Sequence, residues 1–110
     1  MDSNARDLFP GALEMMILES LRRQPAHGYA LVQYIQQRSN DLLQVEEGSL
    51  YPALHRMEQS GWLNSEWALS ESNRRAKYYT LTLAGRKQLV EAEKSWEQLM
   101  KGVQTMLRFA

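Results

Sequence analysis

Residues 46–79, EEGSLYPALHRMEQSGWLNSEWALSESNRRAKYY, constrain the fold more than any other stretch of this chain. The first part carries apolar residues at helical spacing: Leu50, Ala53, Leu54 and Met57. That spacing predicts a helix over residues 49–60 with one buried face. Two segments rich in aromatic and apolar residues follow, at 62–69 and 76–81, with a polar turn between them. They predict a β-hairpin directly after the helix, because strands favour such residues and turns favour small polar ones.

The ends of this helix are predicted from single residues. Ser49 is a favourable N-cap, and Gly61 is a natural stop because glycine accepts the left-handed conformation at a helix C-terminus. Pro52 falls within the predicted first turn, where backbone N–H groups have no partner inside the helix, so a proline is compatible with it. The outer side of the helix then presents Tyr51, His55, Arg56 and Gln59.

Two helices are predicted upstream of this segment. Pro10 opens the first, since a proline lacks the N–H that goes unpaired in a first turn, and Pro25 ends it. The second helix begins near His27 and ends in the polar residues 39–41. A very short strand that pairs with the hairpin is predicted next, over Leu42, Leu43 and Val45.

A single long helix is predicted from residue 82 to about residue 108, roughly 40 Å at 1.5 Å per residue. That length exceeds what so small a domain can cover. Apolar residues repeat in sevens in two interleaved series: Leu89, Trp96 and Val103, with Ala92, Leu99 and Met106. Such heptads indicate packing against another helix, and these six residues are the predicted dimer interface.

The predicted order is helix, helix, short strand, helix, strand, strand and long helix. This arrangement is mainly α with a small β-hairpin. It is typical of a winged helix-turn-helix, in which one helix enters a DNA groove and the hairpin contacts the DNA backbone beside it. We therefore assign residues 1–81 to a winged helix-turn-helix DNA-binding domain and residues 82–110 to a C-terminal dimerisation helix. A chain of 110 residues with 44% hydrophobic composition is sufficient for one such core.

The composition excludes several classes of protein. The chain has no cysteine, which excludes disulfides, thiolate metal sites and thiol redox chemistry. It has no apolar run long enough to span a membrane, and its polar N-terminus lacks the basic-then-apolar pattern of a signal peptide. We therefore expect a cytoplasmic protein without a membrane partner.

Catalysis and metal binding are not expected, and no cofactor is predicted. His27 and His55 lie on different predicted helices, with no cysteine and no spaced carboxylates to complete a metal site. The sequence also lacks a Ser-His-Asp arrangement, a phosphate-binding glycine loop and a pair of carboxylates in an apolar run. His27 is better explained as a residue that caps or packs against the start of the second helix. The sequence therefore predicts no enzyme.

The distribution of charge favours a nucleic acid as partner, although the net charge is zero. Between residues 74 and 90 the chain has five cations and no Asp or Glu: Arg74, Arg75, Lys77, Arg86 and Lys87. A basic patch of this kind can bind phosphate, but a neutral protein steers DNA only weakly from a distance. Arg74, Arg75 and Lys77 are predicted to contact phosphate or to enter the minor groove. A solvated turn is the alternative for these three, as a solvated face is for the other two.

The outer side of the third helix supplies the predicted base readers or phosphate contacts, Tyr51, His55 and Arg56. Arg56 has the fork of donors that suits guanine edges, whereas Ser49 and the helix N-terminus suit a phosphate. An ordinary solvent-exposed face is the alternative. Because a basic hairpin follows the helix at once, DNA contact is favoured. The sequence leaves open which of these residues touch bases and which touch phosphates.

Four segments have the order and spacing of a known family: LFPGALEMMILESL at residues 8–21, HGYAL at 27–31, EEGSLYPALHRMEQSGWL at 46–63 and NRRAKYYTLTLAGR at 73–86. Together they resemble the PadR family of bacterial transcriptional regulators. The resemblance implies a homodimeric winged-helix repressor that binds double-stranded DNA at an inverted repeat. It places these residues at the DNA: Ser49, Tyr51, Pro52 and His55 on the reading helix, Arg74, Arg75 and Lys77 on the hairpin or wing, and Tyr29 in the second helix.

The resemblance also raises a small aromatic effector as a partner, because family members often respond to phenolic acids or hydrophobic drugs. Trp96 lies in the middle of the heptad series, where two copies across a twofold axis would line a flat pocket. A large core residue in the dimer interface is the simpler explanation and is favoured. The chain has a single C-terminal helix, like the smaller subgroup of the family, and we expect no large separate effector domain.

Two other functions are alternatives to DNA binding. A winged helix can serve as a protein-interaction module without DNA, and the neutral net charge is compatible with that alternative. An RNA-binding role is weaker, because the sequence offers no aromatic platform for base stacking beyond Tyr78 and Tyr79. A repressor that binds DNA as a homodimer is the favoured hypothesis.

Overall fold

Three helices, a small antiparallel sheet and a long C-terminal helix make up residues 11–108, the part of the chain that this computed structural model describes. The elements are α1 Ala12–Arg23, β1 Ala26–His27, α2 Gly28–Arg38, α3 Glu47–Gln59, β2 Leu63–Leu69, β3 Arg75–Leu81 and α4 Leu83–Arg108. The predicted fold, mainly α with a winged helix-turn-helix and a long C-terminal helix, is confirmed. Pro10, the predicted opening of α1, lies outside the described residues.

The core lies between α1, α2 and α3, and the sheet and the start of α4 close it. The largest fully buried side chains come from the three helices and β2: Ile17, Leu18, Leu31, Leu50, Leu54, Met57 and Leu63. The predicted buried face of α3 is confirmed in full, for Leu50, Ala53, Leu54 and Met57. Each large apolar side chain buried in this way contributes about 1.5–3 kcal/mol relative to an exposed one. This packing fixes one side of α3 against the body and turns the other side outward.

The sheet has the strand order β1-β3-β2, and both pairings are antiparallel. Ala26 of β1 pairs with Tyr79 of β3, and the hairpin is paired from Leu63 out to Leu69. Strands β2 and β3 have seven residues each, whereas β1 has two. The outer half of the hairpin therefore extends past the third strand and past the core.

One predicted strand is wrong, the one over Leu42, Leu43 and Val45. These residues form a loop, and Ala26 with His27 supplies the third strand instead. Asn40 and Asp41 both have a positive φ, 54° and 66°, which turns the chain sharply at the end of α2. The loop is bonded to that helix, since the Asp41 N–H donates to the Gln36 carbonyl at 2.9 Å. The backbone N–H groups of residues 40–43 are thus bonded to the end of α2 and to Ser39, its C-cap residue.

Helix α3 begins two residues before its predicted start. Glu46 is the N-cap residue and makes no capping hydrogen bond with its side chain, so the predicted capping role of Ser49 is wrong. Pro52 lies in the second turn of the helix and not, as predicted, in the first. Its absent N–H would have bonded to the Gly48 carbonyl. Because Gly48 is exposed, water can satisfy that carbonyl, and the helix tolerates the proline.

The predicted end of α3 at Gly61 is confirmed. Gly61 has a φ of 84°, the left-handed conformation that glycine adopts without strain. Its N–H donates to the Glu58 carbonyl, and the Trp62 N–H donates to the Met57 carbonyl, both at 3.0 Å. These two bonds form a Schellman motif, which satisfies the last carbonyls of the helix. The chain therefore passes from α3 into β2 within three residues, and the hairpin lies beside the helix.

Helix α4 has 26 residues, about 39 Å at 1.5 Å per residue, in a protein with a longest extent of 55 Å. Its buried residues are Gly85 and Leu89, both in the first two turns. The rest of the helix is left largely without cover from its own chain. None of the helices between residues 11 and 108, α4 included, combines the length and apolarity that crossing a membrane requires.

Candidate nucleic-acid interface

The side of α3 opposite the core is turned to solvent, as predicted. Tyr51, Pro52, His55 and Arg56 are exposed, and so is Gln59. Ser49 is partly buried at the edge of this face. The face is accessible to a partner, but its members differ in the neighbours that they already contact.

Arg56 is held by α1. Its Nη2 lies 3.0 Å from Oε2 of Glu14, and the Arg56 side chain is still 59% exposed. An exposed ion pair of this kind contributes about 0–1 kcal/mol, so another acceptor can replace the carboxylate at low cost. Arg56 must therefore exchange Glu14 for a base or a phosphate before it can contact DNA.

Two carboxylates lie at the N-terminus of α3. Glu46 is the N-cap residue and Glu47 the first helical residue, and both are exposed. Negative side chains at this end interact favourably with the helix dipole, as a bound phosphate would. A phosphate that approached this end would meet like charge. The N-terminus of α3 is thus less suited to phosphate than an N-terminus begun by Ser49 would be.

Tyr51 connects α3 to the start of α2. Its ring lies over Gly28, where a β-carbon on residue 28 would be 2.5 Å from the Tyr51 hydroxyl oxygen. The position of the ring therefore requires a glycine at residue 28. Tyr51 remains 45% exposed, so one side of the phenol is available to a ligand.

The start of α2 is fixed by His27. Its Nδ1 accepts a hydrogen bond from the Ala30 backbone N–H at 3.2 Å, which confirms the predicted capping role. The His27 ring also meets Tyr78 of β3 edge to face, with ring centroids 5.2 Å apart. Tyr29 follows in the first turn of α2 and is 57% exposed. The capped end of α2 thus contacts the hairpin, with an exposed tyrosine next to it.

The hairpin, residues 63–81, has the form of a wing with a tight loop at its tip. The Asn73 N–H donates to the Ser70 carbonyl at 2.9 Å, and the Ser70 N–H donates to the Arg74 carbonyl at 2.7 Å. Asn73 has a φ of 63°, a conformation that asparagine tolerates better than most residues. These bonds close a three-residue loop, residues 71–73, which places Arg74 directly after the tip and starts β3 with Arg75.

The three predicted cations of the wing have different surroundings. Arg74 and Arg75 are exposed, and neither forms an ion pair with a residue that the structure describes. Lys77 is partly buried, and its Nζ lies 3.4 Å from Oε1 of Glu58 in α3. The positive charge that the wing offers to a partner is therefore concentrated on Arg74 and Arg75.

Glu58 is ionised in this setting. Its carboxylate accepts a hydrogen bond from the Ser65 hydroxyl at 2.6 Å. That bond is the main reason why the pKa of Glu58 lies below its ordinary value, with partial burial acting in the opposite direction and Lys77 adding to the decrease. The charge of Glu58 thus offsets that of Lys77.

One groove brings several of these residues together. It has a volume of about 1000 Å³ and lies between the start of α2, Tyr51 and the wing. Five of the nine residues predicted to contact DNA line it: Tyr29, Tyr51, Arg74, Arg75 and Lys77. The other four lie on α3 outside the groove: Ser49, Pro52, His55 and Arg56. The two groups adjoin at Tyr51, so a helix face and a basic groove form one extended surface.

This surface offers hydrogen-bond donors, positive charge and aromatic rings, which are the groups that bind a nucleic-acid backbone and base edges. Within residues 11–108, no three His, Asp or Glu side chains lie close enough together to hold a metal ion.

Comparison with known sequences identifies the family. The sequence model of the transcriptional regulator PadR-like family matches residues 17–91, most of the chain. The chain belongs to the PadR-like family of transcriptional regulators. The resemblance inferred from the motifs is thereby confirmed.

Solved structures and sequences agree with this assignment. A PadR family transcriptional regulator from Eggerthella lenta is 38% identical, with 94% of this chain and 88% of that chain covered and a TM-score of 0.78. A transcriptional regulator from Clostridium thermocellum is 27% identical, with 90% and 96% covered and a TM-score of 0.82. The transcriptional regulator Rv3488 of Mycobacterium tuberculosis is 33% identical over 98 residues, 89% of this chain and 88% of its own length. The PadR-like chain is thus a transcriptional regulator, and its family implies DNA binding.

The predicted dimer residues of this PadR-like regulator lie along α4. Leu89 is 4% exposed and belongs to the core of its own chain, so it offers little surface to a partner. Leu99 and Met106 are exposed, at 42% and 80%. The other three are partly buried: Ala92, Trp96 and Val103. Among the predicted interface residues of α4, those that offer apolar surface to a second copy of this chain therefore lie after Leu89.

Trp96, for which a ligand site is the predicted alternative to the dimer interface, lies between two hollows. One of about 370 Å³ is bounded by α1, α2 and α4, and the other, of about 240 Å³, by α1 and α4. Met15 of α1 lines both hollows. Trp96 thus contributes apolar surface where α4 crosses α1, within a single chain.

Trp67, an exposed residue that lines the groove, was not among the site residues predicted from the sequence. It is 58% exposed and lines the groove beside Arg75. Side chains alternate along a strand, so Trp67 shares a face with Leu63 and Ser65. Counting outward from the buried Leu63 would have placed Trp67 on the same face of the hairpin, close to the tip.

Proposed function

We propose that this PadR-like regulator is a homodimeric repressor that recognises an inverted repeat in double-stranded DNA. Helix α3 of each subunit would enter the major groove, and the wing would lie against the adjacent backbone or minor groove. The observation that carries the proposal is the meeting of the exposed α3 face, Tyr51 and the two exposed arginines of the wing on one surface. A helix about 10–12 Å across fits a major groove about 12 Å wide.

The residues divide into base readers and backbone contacts by their positions. His55 and Tyr51 lie on the exposed face of α3, where base edges would be reached, and Arg56 would join them after it leaves Glu14. Ser49 and Pro52 lie nearer the N-terminus of the same face. Tyr29 and the three wing cations are assigned to phosphate or minor-groove contacts: Arg74, Arg75 and Lys77.

The dimer is proposed from the uncovered length of α4. Leu99 and Met106 expose apolar surface at heptad spacing, which water disfavours and a second α4 would bury. A twofold axis beside this row of apolar α4 residues would give the dimer two reading helices, one from each subunit. On an inverted repeat their contacts would be about one helical turn, roughly 34 Å, apart or a multiple of it.

A protein-interaction module without DNA is the rival function. Arg74 and Arg75 favour DNA, since exposed guanidinium groups that form no ion pair with a described residue suit a polyanion. Retention on heparin or DNA-cellulose at low salt separates the two, because an adaptor without affinity for DNA would flow through.

We assign Trp96 to the dimer interface, with an aromatic effector site as the alternative. The test uses a chain in which Trp62 and Trp67 are replaced by Phe, so that Trp96 is its one tryptophan. Its fluorescence is titrated with planar aromatic compounds. Saturable quenching would favour the effector site and release of DNA by a ligand, and its absence would favour the interface alone.

The decisive experiment is selection of bound fragments from a random duplex library by the intact chain. The proposal expects a twofold-symmetric motif and a dimer in sedimentation at micromolar concentration. Transcription in vitro from a promoter that contains the selected site should fall when the protein is added. A monomer, or a selected pool no different from the input, would contradict the proposal.

A further inference from the structure

Trp67 is an exposed indole that the core does not explain. It is 58% exposed, although it lies on the same face of β2 as the buried Leu63 and as Ser65, which contacts α3. Its position two residues beyond Ser65, toward the tip, takes it past the end of that contact. Burial in the core therefore does not account for a large aromatic side chain at this position.

Arg75 stacks on this indole. Its Cζ lies 5.3 Å from the ring centroid, within the range of a cation–π interaction. Arg75 is opposite Leu69 in the ladder, so it reaches Trp67 along the diagonal of the hairpin. Because Arg75 has no ion pair with a described residue, the indole is the partner that orders its guanidinium.

The other cations of the wing are arranged differently. Lys77 is paired with Glu58 and also lies over the ring of Tyr79, 5.7 Å from its centroid, whereas Arg74 follows the tip loop and contacts no aromatic ring among the described residues. An arginine that is already ordered loses less rotamer freedom when it binds a partner. Arg75 is thus the exposed cation of the wing that the free protein already orders through a ring.

The geometry points to Trp67 as a positioning residue, whose indole holds the Arg75 guanidinium in the orientation in which the wing contacts duplex DNA. This inference rests on the proposed function and deepens it. Trp67 and Arg75 both line the groove next to Tyr51, so DNA seated against α3 approaches this pair. An exposed cation–π interaction changes the population of the stacked arrangement by about two- to five-fold, which sets the size of the expected effect.

The stack itself is tested in the free protein by NMR. The ring current of the indole should shift the δ-methylene proton resonances of Arg75 upfield. Trp67→Leu should remove this shift, whereas Trp67→Phe should retain part of it. An unshifted Arg75 in the unsubstituted chain would overturn the inference, whether or not the protein binds DNA.

The role of the stack is tested by affinity for a duplex that the unsubstituted chain selects. Trp67→Leu should weaken binding about two- to five-fold, and Trp67→Phe by less than about two-fold, because phenylalanine keeps an aromatic face. Leucine and phenylalanine are the matched pair, since both are large and apolar. In an Arg75→Ala background, Trp67→Leu should have no further effect, because the group to be positioned is gone.

Two results would overturn the positioning role. One is an equal loss for the Leu and Phe variants, which would indicate bulk alone. The other is the same loss from Trp67→Leu with and without Arg75, which would indicate that Trp67 acts by a contact of its own. Thermal unfolding of each variant verifies that the fold is intact. Failure of the unsubstituted chain to select any duplex would instead contradict the proposed function, and the inference with it.

Discussion

Glu58 of α3 accepts a hydrogen bond of 2.6 Å from the hydroxyl of Ser65 in β2, so the proposed reading helix and the wing are joined directly. Lys77 of β3 adds an ion pair to the same carboxylate at 3.4 Å. One side chain thus contacts both strands of the hairpin. The spacing between the two elements proposed to meet DNA is therefore held within the protein.

We expect Glu58→Gln to lower the free energy of unfolding by about 1 kcal/mol at neutral pH. Glutamine keeps the size of the side chain but removes the charge that attracts Lys77 and strengthens the bond from Ser65. The pKa of Glu58 is lowered in the folded protein, so its contribution is complete above its ordinary pKa and is lost as the pH falls through the lowered value. Urea unfolding of both proteins should therefore show a difference at pH 7 that shrinks at about pH 3.

The control for this pH dependence is Glu71→Gln. Glu71 lies in the tip loop, is exposed, and forms no ion pair with a described residue. The control should be close to neutral in stability at both pH values. An equal loss in the control, or a Glu58 effect that persists in acid, would contradict the role of the charged carboxylate.

Gly28→Ala should disturb the DNA-facing surface more than the fold. A β-carbon at residue 28 would lie 2.5 Å from the Tyr51 hydroxyl, so the phenol must turn away from the start of α2. Alanine favours the helix slightly, which offsets part of the lost packing, and stability should change by less than about 1 kcal/mol. Affinity for a selected duplex should fall because the proposed contact of Tyr51 is displaced.

A double-mutant cycle isolates the contact between residues 28 and 51. In a Tyr51→Ala background, Gly28→Ala no longer meets the ring and should leave stability unchanged or raise it by up to about 0.5 kcal/mol. Urea unfolding of the four proteins gives the coupling. If Gly28→Ala has the same effect in both backgrounds, the close approach of the Tyr51 ring does not govern this position.

The features that the sequence predicts well are those that depend on neighbours along the chain. The buried stripe of α3 follows from helical spacing, and its end follows from the left-handed conformation at Gly61. The length of α4 follows from its heptads. Each of these rests on the chemistry of residues within a few turns of one another, which a single sequence displays directly.

The features that the sequence misses depend on distant partners. Strand β1 has two residues, Ala26 and His27, and exists because β3 pairs with it and not because its own residues favour a strand. Arg56 is paired with Glu14, which lies 42 residues earlier on another helix. Periodicity contains no information about either contact. The candidate site is therefore predicted at the level of elements, and less well at the level of single side chains.

Replacing Arg74 and Arg75 with alanine should weaken binding to all DNA sequences. If both contact phosphate, the slope of log affinity against log salt should flatten by roughly two units, since each contact releases about one counterion. Both side chains are exposed, so the variant should keep its fold. Affinities measured at several salt concentrations provide the slope.

A matched variant removes the same charge from a different surface. Arg86 and Lys87 are exposed at the start of α4, and neither lines the groove. Their replacement by alanine should leave the salt slope nearly unchanged. Equal flattening in the two double variants would mean that net charge governs binding, and the wing would lose its assigned role.

Leu99→Glu should separate the proposed dimer without unfolding the subunits. Leu99 is 42% exposed in the single chain, so a charge there is tolerated by the core but not by an interface. Loss of about 1.5 kcal/mol of leucine burial in each of two subunits corresponds to a dissociation constant roughly 100-fold higher.

Val90→Glu is the control, because Val90 is an apolar residue of α4, 50% exposed, that lies outside both heptad series. Sedimentation should show that Leu99→Glu dissociates and Val90→Glu does not, and the reverse order would place the seam on a different face of α4.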